Sequence, residues 1–491
     1  MLLELLSLTR AILLANALIP QQITFKTEAG FTSNGIIVSP GSPNLSPSDV
    51  YRPHNTVVTL KTRPTKVYRP RSLEALRTAR VRSLRYAESP TEPLEWDVKE
   101  VPGPDIEDRH TLAQLARMSG NAYAMPGRPN WYDVDQTWNQ SFPFGWENEA
   151  DGFRGHVFLS DNNSTIILSI KGTTLSGPTS KKDRFNDNLH VYLLQLALRF
   201  ADMTHRLFSC CCGRATPAWM FRTVCNCYAN HWRCDNTCLS KALIDDSLFY
   251  SVGVNLIDDL IETFPDANIW LTGHSLGGAL ASLLGVTYGF PAVAFEAPGE
   301  RLAALRLYLP LPPSPASPSS LSISSSDAST HPAHPHLPIT HVYHTSDPIP
   351  QGACTGLFSP CAQAGYALET RCHLGRSIVF DTVGKLGWYV DVRTHTIKAI
   401  IERLLEDEEV DWGEDDDDSG GWLSWITRRW RKNVKSFENH KRDVPEAHIE
   451  DDCIDCFKWE FGDFKIPDGG GGGDDDDDDI PEPPDQDWHN A

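Results

Sequence analysis

The chain has 491 residues, a length that corresponds to about two or three average domains or to one large domain with long extensions. Apolar residues make up 40% of it, including 14 Trp, 13 Tyr and 20 Phe, so the chain can bury a sizeable core. Two acidic runs, residues 406–418 with ten acidic side chains and residues 474–487 with nine, supply 19 charges of the net charge of −21. The rest of the chain is nearly neutral, which argues against a nucleic-acid partner.

The first residues of the chain are mostly apolar. Glu4 and Arg10 interrupt this stretch, and Ala15–Ala17 forms an A-x-A pattern typical of a signal-peptide cleavage site. We therefore predict that residues 1–20 are a signal anchor or a cleaved signal peptide, and an amphipathic helix is the alternative. Either of the first two would direct the chain into the secretory pathway.

Sequons and cysteines agree with that compartment. The sequons predict glycosylation at Asn139, Asn162 and Asn163. The chain has twelve cysteines, which are clustered and favour disulfide bonds in an oxidising compartment. A zinc site is the alternative, and it would use Cys225, Cys227, His231 and Cys234, although their spacing matches no standard pair of zinc ligands.

Residues 21–100 have a weak β pattern and are interpreted as an N-terminal lumenal extension of unknown role. Clear helix and strand patterns begin after residue 100, and residues 101–405 are interpreted as the catalytic domain. Apolar residues at helical spacing predict a helix around Leu112–Tyr123, and two apolar runs, Gly155–Ser160 and Ser164–Ile170, predict a β-hairpin. The polar residues 175–190 fit either a mobile lid or an ordinary surface loop.

The stretch Ile269–Ala281 has the form of a strand, a tight turn and a helix around the sequence Gly-His-Ser-Leu-Gly. This is the pattern of a nucleophile elbow, in which Gly273 and Gly277 leave room for a strained turn and Ser275 is the nucleophile. The oxyanion would be held by the backbone N–H groups of Leu276, at the start of the helix, and of Thr173, after the second hairpin strand. A glycine-rich turn with an incidental serine is the alternative.

The other two catalytic groups are expected at later strand ends. Ile339–His344 reads as a strand that leads to Asp347, and His395 lies on a loop before a helix, which gives the chain order Ser, Asp, His of α/β-hydrolases. We predict that Asp347 orients the imidazole of His395. The competing residues are Asp381 and Asp391 for the acid and His373 for the base. His341 and His344 are interpreted as structural, and His274 should point away from Ser275 because side chains alternate along a strand.

Three segments depart from the pattern of a compact core. They are a cysteine-rich insertion at 207–240, a Ser/Pro-rich insertion at 312–338, and an acidic low-complexity tail at 406–491 that contains a Cys453/Cys456 motif. Within the tail, aromatic and basic residues at 422–432 predict either a membrane-surface segment or an ordinary helix.

These motifs together resemble the class 3, fungal-type triacylglycerol lipases, through Gly273–Ala281, Lys171–Thr174, Asp347–Pro350 and His395. The cysteine-rich insertion, Phe295–Glu300 and the segment Cys453–Gly462 narrow the resemblance to the fungal autophagy-related vacuolar lipases. The resemblance implies an α/β-hydrolase fold with a mainly parallel sheet. It also implies a glycosylated single-pass type II membrane protein of the multivesicular body or endosome, with its catalytic domain in the vacuole lumen.

The predicted activity is a serine lipase that hydrolyses carboxylic esters of membrane phospholipid, triacylglycerol or both, with a role in the breakdown of autophagic bodies and intravacuolar membranes. The expected partners are the lipid substrate and a membrane surface, and no cofactor or metal is expected. Two other functions stay open: a catalytically silent lipid-binding or membrane-remodelling protein with a hydrolase fold, and a general carboxylesterase.

Overall fold

The computed structural model describes residues 29–32, 35–38, 60–86, 94–138, 140–146, 153–160, 163–173, 227, 229–231, 233–239, 241, 248–312, 337–352, 371–406, 410–413, 442–450 and 460–464. The predicted signal segment at 1–20, the predicted lid at 175–190 and the aromatic and basic segment at 422–432 lie outside these residues.

Strands and helices alternate through the catalytic domain. In chain order they are β1 Ala29–Thr32, β2 Gly35–Val38, β3 Thr62–Pro70, α1 Leu73–Tyr86, β4 Trp96–Pro104, α2 Arg109–Asn121, β5 Gln140–Phe144, β6 Gly155–Leu159, β7 Thr165–Ile170, β8 Arg233–Asp235, α3 Leu248–Thr263, β9 Asn268–His274, α4 Leu276–Tyr288, β10 Ala292–Phe295, α5 Arg301–Arg306, β11 Ile339–His344, β12 Arg376–Phe380, α6 Thr382–Leu386, α7 Ile397–Ala399, which continues as a π-helix Ile400–Leu405, and β13 Glu460–Gly462.

The central sheet has seven strands in the order β12-β11-β10-β9-β7-β6-β5. Strands β7, β9, β10, β11 and β12 run parallel to one another, while β5 and β6 are added antiparallel at one edge. This mostly parallel sheet with helices between its strands is the predicted α/β-hydrolase fold, which is confirmed. The β6–β7 hairpin and β11 lie where the apolar runs predicted them.

The parallel strands are mostly apolar because both faces of the sheet are covered. Consecutive residues enter different cores: Trp270 packs in one hydrophobic cluster and Leu271 in the other. The first cluster includes Leu280 and other residues of α4, and the second includes Leu112 from α2 together with residues of the π-helix Ile400–Leu405. A continuous apolar run therefore identifies a strand that is buried on both sides.

Residues 60–104 pack against the catalytic domain. Strands β3 and β4 pair antiparallel, and the Trp270 indole N–H donates to the carbonyl oxygen of Pro102 over 2.9 Å. Arg77 of α1 forms an ion pair with Asp258 of α3 at 2.9 Å. The predicted domain boundary between residues 100 and 101 falls inside β4.

The cysteine-rich insertion contains a disulfide between Cys227 and Cys238. Cys234 is also disulfide-bonded, so two of the four ligands of the alternative zinc site are already consumed. The short strand β8 next to this disulfide pairs in parallel with β13 from the C-terminal region. Residues 460–462 thus pair with the described part of the insertion.

Of the three predicted glycosylation positions, Asn139 and Asn162 lie outside the described residues. Asn163 is exposed in the turn between β6 and β7, where it adopts a positive φ of 55°. Glycosylation at all three positions remains a prediction.

The predicted localisation as a single-pass type II membrane protein is wrong for the part of the chain that the structure describes. The longest helix there, α3, has 16 residues, whereas a membrane span needs about 20. No helix among the described residues is long and apolar enough to cross a bilayer.

A buried polar cluster attaches residues 442–450 to the sheet. His373 Nδ1 lies 2.9 Å from Glu450 Oε2, and the Tyr343 hydroxyl donates to Glu450 Oε1 over 2.6 Å. Burial opposes the charge on His373, but Glu450 and Glu300 outweigh it and raise the pKa of His373 to about 9. The folded protein therefore binds a proton here that the unfolded chain releases near pH 6.5.

This cluster predicts a pH-dependent stability. The stabilisation should be complete below about pH 6.5 and should be lost as the pH rises towards 9, lowering the free energy of unfolding by an amount on the order of 3 kcal/mol. Denaturant unfolding at several pH values measures this change. Glu450→Gln should flatten the dependence, and Glu446→Gln, at an exposed glutamate that pairs with Arg442, is the matched control. Equal pH dependence in both variants would contradict the assignment.

Candidate active site

Ser275 lies in the turn between β9 and α4. Its backbone has φ 59°, which is strained for a residue with a side chain. The glycines on either side make the turn possible: a Cβ at Gly273 would lie 2.4 Å from Gly277 O, and a Cβ at Gly277 would lie 2.1 Å from Ile170 O. The elbow that the sequence predicted therefore presents the Ser275 side chain above the carboxyl edge of the sheet.

The structure brings the three predicted catalytic side chains together. His395 Nε2 lies 2.8 Å from Ser275 Oγ, and His395 Nδ1 lies 2.6 Å from Asp347 Oδ2. Because a carboxylate only accepts hydrogen bonds, Nδ1 carries the proton and Nε2 is free to accept the hydroxyl proton of Ser275. The arrangement has the geometry of a serine nucleophile, its general base and an orienting acid.

Backbone contacts hold the two loops that supply the base and the acid against each other. Asp391 N donates to Ser346 O over 3.0 Å, and Thr394 Oγ1 donates to the same carbonyl over 3.1 Å. Ile349 N donates to Asp347 Oδ1 over 3.0 Å, which fixes the carboxylate from its other side. His395 then follows a single 3₁₀ turn at Val392–Thr394 and precedes α7.

The residues that competed with these three have other contacts. Asp381 caps α6 by accepting from Gly384 N, and Asp391 caps the 3₁₀ turn by accepting from Arg393 N. His373 is held by Glu450 in the buried cluster, and His341 pairs with Glu300 at 2.9 Å. None of these four is hydrogen-bonded to Ser275 among the described residues.

The predicted oxyanion donors lie on both sides of Ser275. Leu276 opens α4, and the N–H groups of a first helical turn have no partner within the helix. Thr173 follows Gly172, which contacts the elbow: a Cβ at Gly172 would lie 3.1 Å from Ser275 Cβ and 2.4 Å from His274 O. The Tyr123 hydroxyl accepts from Gly172 N over 3.1 Å and holds this loop in place. Their role as oxyanion donors remains a proposal.

His274 differs from the expectation that it points away from the site. Its ring centroid lies 4.9 Å from that of His395, and its Nδ1 lies 2.9 Å from the Tyr123 hydroxyl. Burial lowers the pKa of His274 well below its ordinary value, and a positive charge on His395 acts in the same direction. The alternation rule does not apply beyond β9, because Ser275 has left the strand conformation.

The electrostatics favour one ionised carboxylate next to the base. Burial opposes ionisation of Asp347, but His395, together with the donors around the carboxyl group, holds the pKa of Asp347 at about 2. A second carboxyl group, Glu296, is fully buried beside it. Sequence reasoning missed Glu296, although its position directly after the apolar run that forms β10 was the available signal.

Two groups of side chains in this region could in principle hold a metal ion. Glu296, Asp347 and His395 form one, and Glu300, His341 and His373 form the other. In the first group, Asp347 and His395 are hydrogen-bonded to each other. In the second group, His373 Nδ1 contacts the Glu450 carboxylate and His373 Nε2 contacts Ala297 O. Both sets therefore have hydrogen-bonding roles that a metal would have to replace.

Comparison with known proteins identifies the family. The family model "Lipase (class 3)" matches residues 224–289, which include the elbow. A protein of Cryptococcus neoformans var. neoformans serotype D (strain B-3501A) named "Putative lipase ATG15" is 43% identical over 407 residues, covering 75% of this chain and 70% of its own. The protein of the same name from Mycosarcoma maydis is 38% identical, covering 82% and 76% of the two chains.

The chain belongs to the ATG15 lipase family. Among solved structures, the nonglycosylated Yarrowia lipolytica LIP2 lipase is 16% identical and covers 57% of this chain and 81% of its own, with a TM-score of 0.29. Membership of the ATG15 lipase family and of class 3 rests on the sequence matches.

The contacts of Tyr123 yield a prediction for this ATG15-family lipase. Tyr123→Phe removes the hydroxyl that holds Gly172 and His274, so kcat should fall about tenfold while the KM for a short soluble ester changes little. Steady-state kinetics of purified protein measures this split. Tyr132→Phe, which removes the hydroxyl of another half-buried tyrosine, is the control. An equal loss in both variants would show that Tyr123 has no special part in positioning the loop.

Proposed function

We propose that this lipase hydrolyses carboxylic esters by acyl transfer through Ser275. The observation that carries the proposal is the continuous chain of contacts from Ser275 Oγ through His395 to Asp347, at 2.8 and 2.6 Å. His395 accepts the serine proton as the oxygen attacks the ester carbonyl, and Asp347 stabilises the imidazolium that forms. The N–H groups of Thr173 and Leu276 would bind the developing oxyanion, and each such donor typically contributes about 3–4 kcal/mol.

The second half of the reaction reverses these roles. The protonated imidazole gives its proton to the leaving alcohol, and the acyl group remains on Ser275 as an ester. Water then attacks this acyl-enzyme with His395 as base, which releases the fatty acid and restores the serine. The pre-formed hydrogen bonds from the nucleophile to the base and from the base to the acid support this reading over a catalytically silent hydrolase fold.

We further propose that the esters are presented at a lipid surface, as membrane phospholipid, triacylglycerol or both. The segment just before His395 supports this, because it carries three exposed apolar side chains: Val383 is 40% exposed, Tyr389 88% and Val390 61%. Apolar residues beside the site would enter the lipid interface as the substrate reaches Ser275. A role in the breakdown of autophagic bodies and intravacuolar membranes rests on the family resemblance alone.

The proposal predicts a preference for aggregated lipid over soluble esters, and this preference should depend on the exposed side chains of Tyr389 and Val390. Purified protein should hydrolyse phospholipid vesicles or triacylglycerol emulsion faster than a short soluble ester, with a rise once the lipid forms an interface. Tyr389→Ser/Val390→Ser should lower hydrolysis of the aggregated lipid about tenfold and leave soluble-ester turnover unchanged. Fatty-acid release in a pH-stat measures both activities.

The control is Val81→Ser/Val98→Ser, which removes two exposed apolar side chains from α1 and β4. Equal effects of the two pairs would contradict a specific lipid-contacting segment. A preference for soluble esters with no response to an interface would replace the lipase proposal with a general carboxylesterase. Retained activity after Ser275→Ala would overturn the acyl-transfer mechanism itself.

A further inference from the structure

The site contains a second acid that the proposed reaction does not use. Glu296 directly follows β10 and is completely buried. Its backbone has φ 46°, a conformation that favours glycine. Neither of its carboxyl oxygens has a hydrogen-bond partner among the described residues. A buried, strained and unsatisfied carboxyl group is costly, so its place in the fold requires an explanation.

The sheet register brings Glu296 to the level of the nucleophile. Phe295 of β10 lies opposite His274 of β9, so Glu296 and Ser275 leave adjacent parallel strands side by side. Ser275 N donates to Phe295 O over 2.9 Å, and Glu296 N donates to Val342 O over 2.9 Å. The two strained residues are therefore fixed to neighbouring strands by the same kind of backbone contact.

Three titratable side chains lie near the Glu296 carboxyl group. One oxygen of Glu296 lies within 4.8 Å of ligand atoms of both Asp347 and His395. His344 Nε2 lies 3.6 Å from Glu296 Oε1, and burial lowers the pKa of His344 so that it stays neutral. A fourth titratable group, the neutral ring of His274, lies next to His395, with ring centroids 4.9 Å apart.

Only one of the two neighbouring acids can be ionised without a large penalty. Two carboxylates this close in a buried site repel each other, and desolvation penalises each charge. Asp347 receives donors from Ile349 N and His395 Nδ1, whereas Glu296 has none among the described residues. Burial raises the pKa of Glu296 well above its ordinary value, and the charge on Asp347 adds to this. Glu296 is therefore the acid that keeps its proton.

We propose that Glu296 is a positioning residue that stays neutral and donates a hydrogen bond from its carboxyl group to Asp347. Carboxyl oxygens of the two side chains lie within 4.8 Å of each other, so a movement of about 2 Å or less by the Glu296 side chain would form this bond. It would fix the Asp347 carboxylate while leaving a single negative charge facing His395. The proposal rests on the proposed function, since Glu296 acts on the reaction only through Asp347.

The test compares three replacements at Glu296 in the full chain with a soluble ester. Glu296→Leu removes the donor at similar volume, so kcat should fall about tenfold with little change in KM. On the acid side of its pH profile, activity should begin to fall at a higher pH than in the wild-type protein, because an unshared charge on Asp347 favours protonated His395. Glu296→Gln keeps a neutral donor and should recover most of the turnover and the original pH profile.

Two further measurements separate positioning from a merely structural role. Glu296→Gly relieves the strain at φ 46°, so it should fold even if the leucine variant does not, and it should lose activity as that variant does. In an Asp347→Asn background Glu296→Leu should add little further loss, because both changes act on the same group. Asp381→Asn, at a carboxylate that caps α6 outside the site, is the control for removal of a charge.

The outcomes are distinct. A wild-type kcat and pH profile in the folded leucine or glycine variant would overturn the proposal. It would also be overturned if Glu296→Leu lowered kcat by the same factor in the Asp347→Asn background as in the wild-type protein. An equal loss in the glutamine and leucine variants would also overturn it, because a glutamine donor should substitute for a carboxyl donor. If instead Ser275→Ala stayed active, the proposed function would fail before the question of Glu296 arose.

Discussion

The candidate active site depends on the aligned carboxyl ends of adjacent parallel strands. Ser275 follows β9, Glu296 follows β10 and Asp347 comes shortly after β11, and the register of these strands brings all three to one edge of the sheet. The register is held because both faces of the strands are buried, and a slip by one residue would exchange the side chains of the two cores. His395 then needs only one short turn after the edge to reach between the acid and the nucleophile.

The second constraint is the placement of charge inside this fold. The Asp347 carboxylate is ionised because two donors compensate for its burial, and the Glu450 carboxylate is ionised because it faces His373. Glu296 lacks such donors among the described residues and retains its proton. The ionisation of each buried acid thus follows from the hydrogen-bonding and charged groups around it, which is the usual condition for keeping ionisable groups in an apolar interior.

Local patterns predicted much of the fold and the candidate residues of the site. Strand β11 could be identified from its apolar run and the elbow from its two glycines, because each signal lies within a short stretch of sequence. The order of Ser275, Asp347 and His395 along the chain could likewise be taken directly from the sequence. The contacts of Glu296, Tyr123 and His274 could not be predicted in this way, since they join residues that are far apart in sequence or depend on the left-handed turn at Ser275. The packing of residues 60–104 was missed for a similar reason: it depends on contacts such as that between Pro102 and Trp270.

The central claim is that Ser275 is an activated nucleophile, and covalent labelling tests it most directly. A fluorophosphonate reacts only with a serine whose proton a neighbouring base removes. We predict that it modifies the folded, disulfide-intact protein at one residue, that peptide mass spectrometry places the adduct on Ser275, and that His395→Ala prevents the reaction. Absence of labelling in the folded wild-type protein, or an adduct on another serine, would contradict the account.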